Sequence, residues 1–130
     1  MNPARTVVST PSAPAAIGPY SQAIVTGNLV FCSGQIPLSP ETGQLVGAGD
    51  VAAQTEQVMK NLQAVLQAAG CGFEHVVRCT IYLHNMGDFA TVNGIYGPCF
   101  PTEPPARTTI QAAGLPRGAM VEIDAIAVRP

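Results

Sequence analysis

Pro104–Asp124 reads PPARTTIQAAGLPRGAMVEID. Two strand-like runs start in it, Ala106–Ala112 and Met120–Val128. In the second, Val121, Ile123, Ala125 and Ala127 alternate with Glu122, Asp124, Ile126 and Val128, which is the period-two pattern of a strand with two unlike faces. The stretch also gathers Arg107, Arg117, Glu122 and Asp124 in a chain whose charged residues make up only 11%, against roughly 25% in an average soluble domain.

The segments upstream supply the partners of these strands. Val76–Leu83 (VVRCTIYL) also alternates. Its spacing predicts Val77, Cys79, Ile81 and Leu83 on one face and Arg78, Thr80 and Tyr82 on the other. Phe89, Val92 and Tyr96 repeat at helical spacing behind Asp88, which is predicted to cap a short helix ended by Gly97-Pro98. A longer helix is predicted from Asp50 as N-cap to Gly70 as C-cap, with Val51, Thr55, Val58, Met59, Leu62, Val65, Leu66 and Ala69 on one face. Ahead of it, Ala23–Thr26 and Leu29–Gln35 flank Gly27-Asn28, a two-residue hairpin turn. Ser9–Tyr20 (STPSAPAAIGPY) reads as an extended loop.

The predicted order is therefore β-β-α-β-α-β-β in a single α+β domain over residues 1–130. It forms one sheet with both helices on one face. A chain of this length buries roughly two thirds of its unfolded surface and needs no staple. The apolar set Val77, Cys79, Ile81, Val121 and Ile123 is expected to meet the helices. The opposite face then carries Arg78, Thr80, Tyr82, Arg107 or its neighbour, Glu122, Asp124, Ile126 and Val128. A bare sheet face does not leave Ile126 and Val128 in water, so further copies of the chain are expected to cover it. The shortage of charge points the same way, because large homo-oligomer interfaces are poor in charge. A monomer surface rich in Ser, Thr and Gln is the other reading of that shortage.

Several function classes fit poorly. The net charge is −2, and six Lys and Arg residues are spread without a basic stripe, so nucleic acid is not an expected partner. No run of about 18 apolar residues marks a membrane span, and the first twenty residues lack the apolar core of a secretory signal. Cys32, Cys71, Cys79 and Cys99 lie in apolar contexts with no C-x-x-C pair. Reduced, buried thiols and a cytoplasmic location are the expectation. His75 and His84 fall at no ligand spacing from a cysteine pair, so no metal site is expected. Gly47-Ala48-Gly49 lacks the spacing and the lysine of a phosphate loop.

Arg107 and Glu122 are the candidate reactive pair. An arginine fork grips a carboxylate in bidentate fashion, and a glutamate in a partly dry cleft holds and deprotonates a water. Together they suit a small substrate with one carboxylate and one electrophilic carbon. A plain ion pair from Arg107 to Glu122 or Asp124 stands beside that reading. Tyr20, after Gly18-Pro19, either lends its hydroxyl to a cleft or packs as a loop aromatic. Ser33-Gly34 interrupts a strand, either as a bulge or for close approach of a ligand. Asn93, in the second helix, has a bland reading as a cap or surface group.

Five segments resemble the Rid (YjgF) family, in its order and spacing, over nearly the whole chain: IGPYSQAI, VFCSGQIP, QVMKNLQAVLQAAG, FATVNGIY and PPARTTIQAAGLPRGAMVEIDAIAV. Within the family the chain is most similar to the RidA-type 2-iminobutanoate/2-iminopropanoate deaminases. The resemblance implies a chorismate mutase-like fold and a homotrimer around a central barrel, with three clefts between subunits. It implies hydrolysis of 2-imino acids, released by pyridoxal-phosphate enzymes, to 2-oxo acids and ammonia without a cofactor. Carried onto this chain, it makes Arg107 the carboxylate grip and Glu122 the residue that activates water. Tyr20 becomes a hydrogen-bonding partner near the imine or the water. Ser33 and Gly34 form a cleft wall, Thr109 lies where the backbone touches substrate, and Asn93 supports the cleft. Thr108-Thr109 replaces the Ser-Cys of many bacterial members, and Gly94, Gly97 and Pro98 make the second helix less regular than usual. A non-catalytic carboxylate binder on the same trimer is the competing expectation, with a ribonuclease or translation inhibitor third.

Overall fold

The computed structural model describes residues 4–130; Met1–Pro3, included in the single-domain reading, lie outside the described residues. Eight elements follow in the order β1 (Thr6–Val8), β2 (Ala23–Thr26), β3 (Leu29–Gln35), α1 (Val51–Ala68), β4 (Val76–Leu83), α2 (Phe89–Tyr96), β5 (Ala106–Gln111) and β6 (Val121–Val128), with short 3₁₀ turns between some of them. The strands form one six-stranded sheet in the order β1-β2-β3-β6-β4-β5. All pairings are antiparallel except β4 with β5, which run parallel because α2 lies in the crossover between them.

Local chemistry sets the ends of these elements. Gly27 takes φ 58° in the turn between β2 and β3. The Asp50 side chain accepts the Ala53 N–H at 3.1 Å and starts α1. The helix ends at Ala69 with Gly70 at φ 82°. The Cys71 N–H then reaches the Leu66 carbonyl at 2.8 Å and the Gly70 N–H that of Gln67 at 3.0 Å, which is a Schellman closure. Val58, Leu62, Val65 and Leu66 of α1 are fully buried with Cys79, Ile81 and Leu83 of β4 and Val121, Ile123, Ala125 and Ala127 of β6. This is the core, and both helices lie on that one face.

Three expectations change, and one left open is decided. β1 is an additional strand, paired Thr6↔Val25 to Val8↔Ala23; three residues are too few to show a period in sequence. Val77 is exposed, and Val76 takes the core position instead. The register shifts between Val76 and Arg78, so a bulge turns Val77 outward. Asp88 makes no side-chain capping bond; it already has helical φ/ψ, at −85° and −1°. The Asn85 side chain instead accepts the Gly87 N–H at 2.8 Å and opens the turn that leads into α2. The open one is whether Arg107 or its neighbour shares the outer face with Glu122; Thr108 does, as described below.

The outer face of the sheet is mixed. Phe31, Val77 and Ile110 are exposed, and Ile126, Val128, Tyr82, Glu122 and Asp124 are half-buried. No helix among the described residues is long and apolar enough to cross a membrane.

Buried polar side chains of α1 tie the helix to the loops that bear the site. Gln54 accepts the Met120 N–H at 2.8 Å, immediately before β6, and donates to the Gly47 carbonyl at 3.1 Å. Asn61 is 1% exposed and donates to the Ile36 and Leu38 carbonyls at 3.2 and 2.9 Å. Asn61→Ala leaves the Leu38 carbonyl unpaired, while the Ile36 carbonyl keeps the Leu38 N–H at 2.8 Å; the change is expected to cost about 1–3 kcal/mol, measured by urea unfolding, and a loss under about 0.5 kcal/mol would contradict this role for Asn61.

Candidate functional site

Strand parity places the two charged candidates. Glu122 lies opposite Tyr82 and Arg107 opposite Cys79. Cys79 is fully buried under the helices, whereas Tyr82 and Glu122 occupy the alternate, outward positions. Arg107 therefore points to the helix side and Glu122 to the other side. Thr108, not Arg107, takes the outer position on β5, where its hydroxyl accepts from Arg78 at 2.9 Å. The ion-pair reading of Arg107 is not realised within the chain. Its guanidinium donates to the Asn93 Oδ1 at 2.7 Å, while Asp124 accepts the Thr80 N–H at 2.9 Å and the Tyr82 hydroxyl at 3.3 Å.

The structure thus sorts the candidates into two half-sites. The first is a cleft of about 260 Å³ lined by Tyr20, Ser33, Gly34 and Glu122, with Ile17, Ile36 and Pro116 as its apolar wall. Gly34 lies in a bulge of β3, where the register shifts between Cys32 and Gln35. The bulge and the close approach are both present: a Cβ built on Gly34 would stand 2.9 Å from the Glu122 Cδ and overlap the carboxylate. Ser33 is anchored by its hydroxyl, which donates to the Ser21 carbonyl at 2.6 Å. The loop ahead of it is pinned by buried Gln22, which accepts the Thr10 N–H at 2.7 Å and donates to the Pro14 carbonyl at 2.8 Å. The Tyr20 hydroxyl accepts the Ile17 N–H at 3.2 Å. Its own O–H proton remains available to an acceptor in the cleft.

Glu122 is half-buried, and burial pushes its carboxyl above the ordinary glutamate range, with the nearby Asp124 charge adding to the shift. Burial, and then Asp124, also push the Tyr82 hydroxyl up.

The second half-site is a recess of about 500 Å³ at the β5 edge, lined by Asn93, Tyr96, Gly97, Phe100, Pro104, Pro105 and Arg107. Besides Asn93, two rings meet the guanidinium: Phe89 at 5.4 Å and Tyr96 at 5.2 Å from centroid to Cζ. Thr109 shares the Arg107 face and pairs with Ile81. Its hydroxyl is buried without a hydrogen-bond partner. Phe89 and Tyr96 were not legible as site residues, because aromatics at helical spacing look like core. The signal that separates them is the spacing Phe89, Asn93, Tyr96, at i, i+4 and i+7, which sets a polar group between two rings.

Cysteine chemistry fits this region poorly. Cys79, next to Arg107 in the sheet, is pushed up to about 11 chiefly by burial, and Cys32 to about 12. Among the described residues, no group of three or more His, Cys, Asp or Glu is placed to hold a metal ion.

Residues 10–129 match the family described as Endoribonuclease L-PSP. Protein DfrA of Myxococcus xanthus is 58% identical over 127 residues, which cover 96% of each chain. The 2-iminobutanoate/2-iminopropanoate deaminase of Mus musculus is 52% identical over 96% of this chain and 92% of its own. A solved structure of a Rid-family protein from Yersinia pestis superposes with a TM-score of 0.93 at 47% identity, covering 96% of this chain and 99% of that one. The chain belongs to the Endoribonuclease L-PSP family, which is the Rid (YjgF) family of the sequence resemblance.

The Gly34–Glu122 contact is open to direct test. Gly34→Ala is expected to displace the carboxylate by about an ångström. It should lower turnover by about tenfold or more and leave the thermal midpoint near the parent's. Unchanged turnover would show that the carboxylate needs no such close approach.

Proposed function

We propose that this protein hydrolyses reactive 2-imino acids to 2-oxo acids and ammonia, in clefts formed between copies of the chain in a homotrimer. The carrying observation is that Arg107 and Glu122, complementary in chemistry, lie on opposite faces of one sheet. Neither half-site alone offers both a carboxylate grip and a water base. Bringing the Arg107 recess of one copy against the Glu122 cleft of the next completes the set, and it covers Phe31, Val77 and Ile110 as well. The mouse relative's name carries the same activity. The family description mentions an endoribonuclease, but the six basic residues Arg5, Lys60, Arg78, Arg107, Arg117 and Arg129 are scattered over the sequence.

In this reading the free N–H groups of Arg107 bind the substrate carboxylate. Glu122, as carboxylate, takes a proton from water while the water oxygen bonds to C2. The C=N π electrons pass to nitrogen, and a carbinolamine forms. The protonated Glu122 returns the proton to that nitrogen. The Glu122 carboxylate then carries the C2 hydroxyl proton to the nitrogen, the O–H electron pair forms the carbonyl, and the C2–N bond breaks to release ammonia. Tyr20 donates to the oxygen or nitrogen on C2. Ser33 and Gly34 wall the cleft, Asn93 steadies Arg107, and Thr109 offers backbone to the substrate. The imine carbon is already electrophilic, so positioning and one proton shuttle are sufficient. Water is the only co-reactant, and a cytoplasmic location fits substrates released by pyridoxal-phosphate enzymes.

The test is a coupled assay in which threonine dehydratase generates 2-iminobutanoate and 2-oxobutanoate formation is followed. The parent is expected to accelerate it, and Arg107→Ala and Glu122→Gln each to abolish the acceleration. No acceleration by a folded assembly would instead favour a carboxylate-binding protein.

The raised Glu122 carboxyl sets a pH dependence. The base form is lost as pH falls, so activity should drop on an acid limb centred above the ordinary glutamate range. Asp124→Asn removes a repelling charge and should move that limb to lower pH in the pH–rate profile. In linkage terms the folded state binds this proton more tightly than the unfolded state, so Glu122 subtracts stability as pH rises through the window between the two pKa values. Glu122→Gln should therefore melt no lower than the parent at neutral pH while losing turnover. A lower melting point would contradict the buried-carboxyl account.

A further inference from the structure

We propose that Tyr96 is a positioning residue for substrate-carboxylate binding, acting through Arg107 with the face of its ring. The inference rests on the imine-deaminase reading of this site. Phe89, Asn93 and Tyr96 project from one side of α2 and meet the same guanidinium. Their surroundings differ. Phe89 is 36% exposed and forms the outer wall, while Tyr96 is 4% exposed. Tyr96 is backed by Phe100 at 4.8 Å between centroids, and Phe100 by Phe73 at 5.4 Å. The buried ring is therefore the fixed reference against which the long, flexible arginine is set. Asn93 takes one of the five N–H donors at 2.7 Å and leaves the others for a carboxylate. A guanidinium held by a ring on a packed aromatic stack loses less freedom on binding, and affinity rises for that reason.

The hydroxyl of Tyr96 has no part in this. It gives the guanidinium no hydrogen bond: Arg107 meets the ring, and the buried hydroxyl lies beside the Cys79 thiol. That separates positioning from a role of the phenol itself, and it makes Tyr96→Phe the conservative control.

The experiment measures pyruvate binding by titration calorimetry, and kcat and KM on 2-iminobutanoate, for the parent, Tyr96→Phe, Tyr96→Leu, Arg107→Met and the Tyr96→Leu/Arg107→Met double variant. Tyr96→Leu is expected to weaken pyruvate binding and raise KM by about tenfold, with kcat within about threefold of the parent. Tyr96→Phe should stay within about twofold of the parent. On the Arg107→Met background, Tyr96→Leu should add nothing, because the effect passes through the arginine. Parent-like affinity in folded Tyr96→Leu, or an undiminished loss on the Arg107→Met background, overturns the proposal. If Tyr96→Leu does not fold, the Arg107 side-chain NMR signals decide. Ring-current shifts to high field in the parent and Tyr96→Phe are expected, and unshifted signals overturn the proposal. Pyruvate binding that is indifferent to Arg107→Met defeats the deaminase reading itself, and the ring-current measurement still decides whether Tyr96 holds the arginine.

Discussion

The parity of three neighbouring strands governs everything else in this molecule. Cys79, Ile81 and Leu83 of β4 and Val121, Ile123 and Ala125 of β6 must face α1, because together they are the core. A slip of one residue would bring Thr80, Tyr82, Glu122 and Asp124 under the helices and expose the core side chains. With that parity set, the antiparallel pairing of Tyr82 with Glu122 and the parallel pairing of Cys79 with Arg107 leave no choice of face. The carboxylate emerges on one side of the sheet and the guanidinium on the other. The same burial that stabilises the fold thus separates the two charges that the proposed chemistry needs together.

Each half-site is pre-organised by its own support. Gly34 gives the Glu122 carboxylate its space, and Gln54 ties the backbone just before β6 to α1. Arg107 is held by one hydrogen bond and two rings. These contacts lie on strands and helices backed by the core, where positions are fixed more tightly than on loops. Tyr20 is the exception, and its loop is anchored by buried Gln22. The division of labour is physical. A cation beside rings is suited to hold an anion, and a carboxyl raised by burial and a like charge is suited to exchange a proton.

Much of this was legible in the sequence where a local signal decides the structure. The Gly27-Asn28 hairpin, the α1 span from Asp50 to Gly70 and the alternation of Val121–Val128 rest on turn chemistry, capping and period alone. Apart from the Asp88 cap and the three-residue β1, what was missed or left open depends on register. Alternation in Val76–Leu83 misplaces Val77 because a bulge adds one residue without a sequence mark. The face of Arg107 is set by how α2 delivers β5 alongside β4, and no pattern within Ala106–Gln111 records that. The site residues themselves were named from residue type and family resemblance. Their division into two half-sites needed the sheet, and Phe89 and Tyr96 needed the contact with Arg107 to be told apart from core aromatics.

The proposed site between copies is tested most directly by mixing. Chains bearing Arg107→Ala and chains bearing Glu122→Gln are refolded together, and hybrid assembly is verified by mass with distinct tags. If each cleft takes its arginine from one copy and its glutamate from the next, about a quarter of the clefts in a random equal mixture carry both native residues. Imine hydrolysis should then reappear from two inactive proteins. Hybrids that form and remain as inactive as either variant alone would show that Arg107 and Glu122 do not act across a subunit boundary.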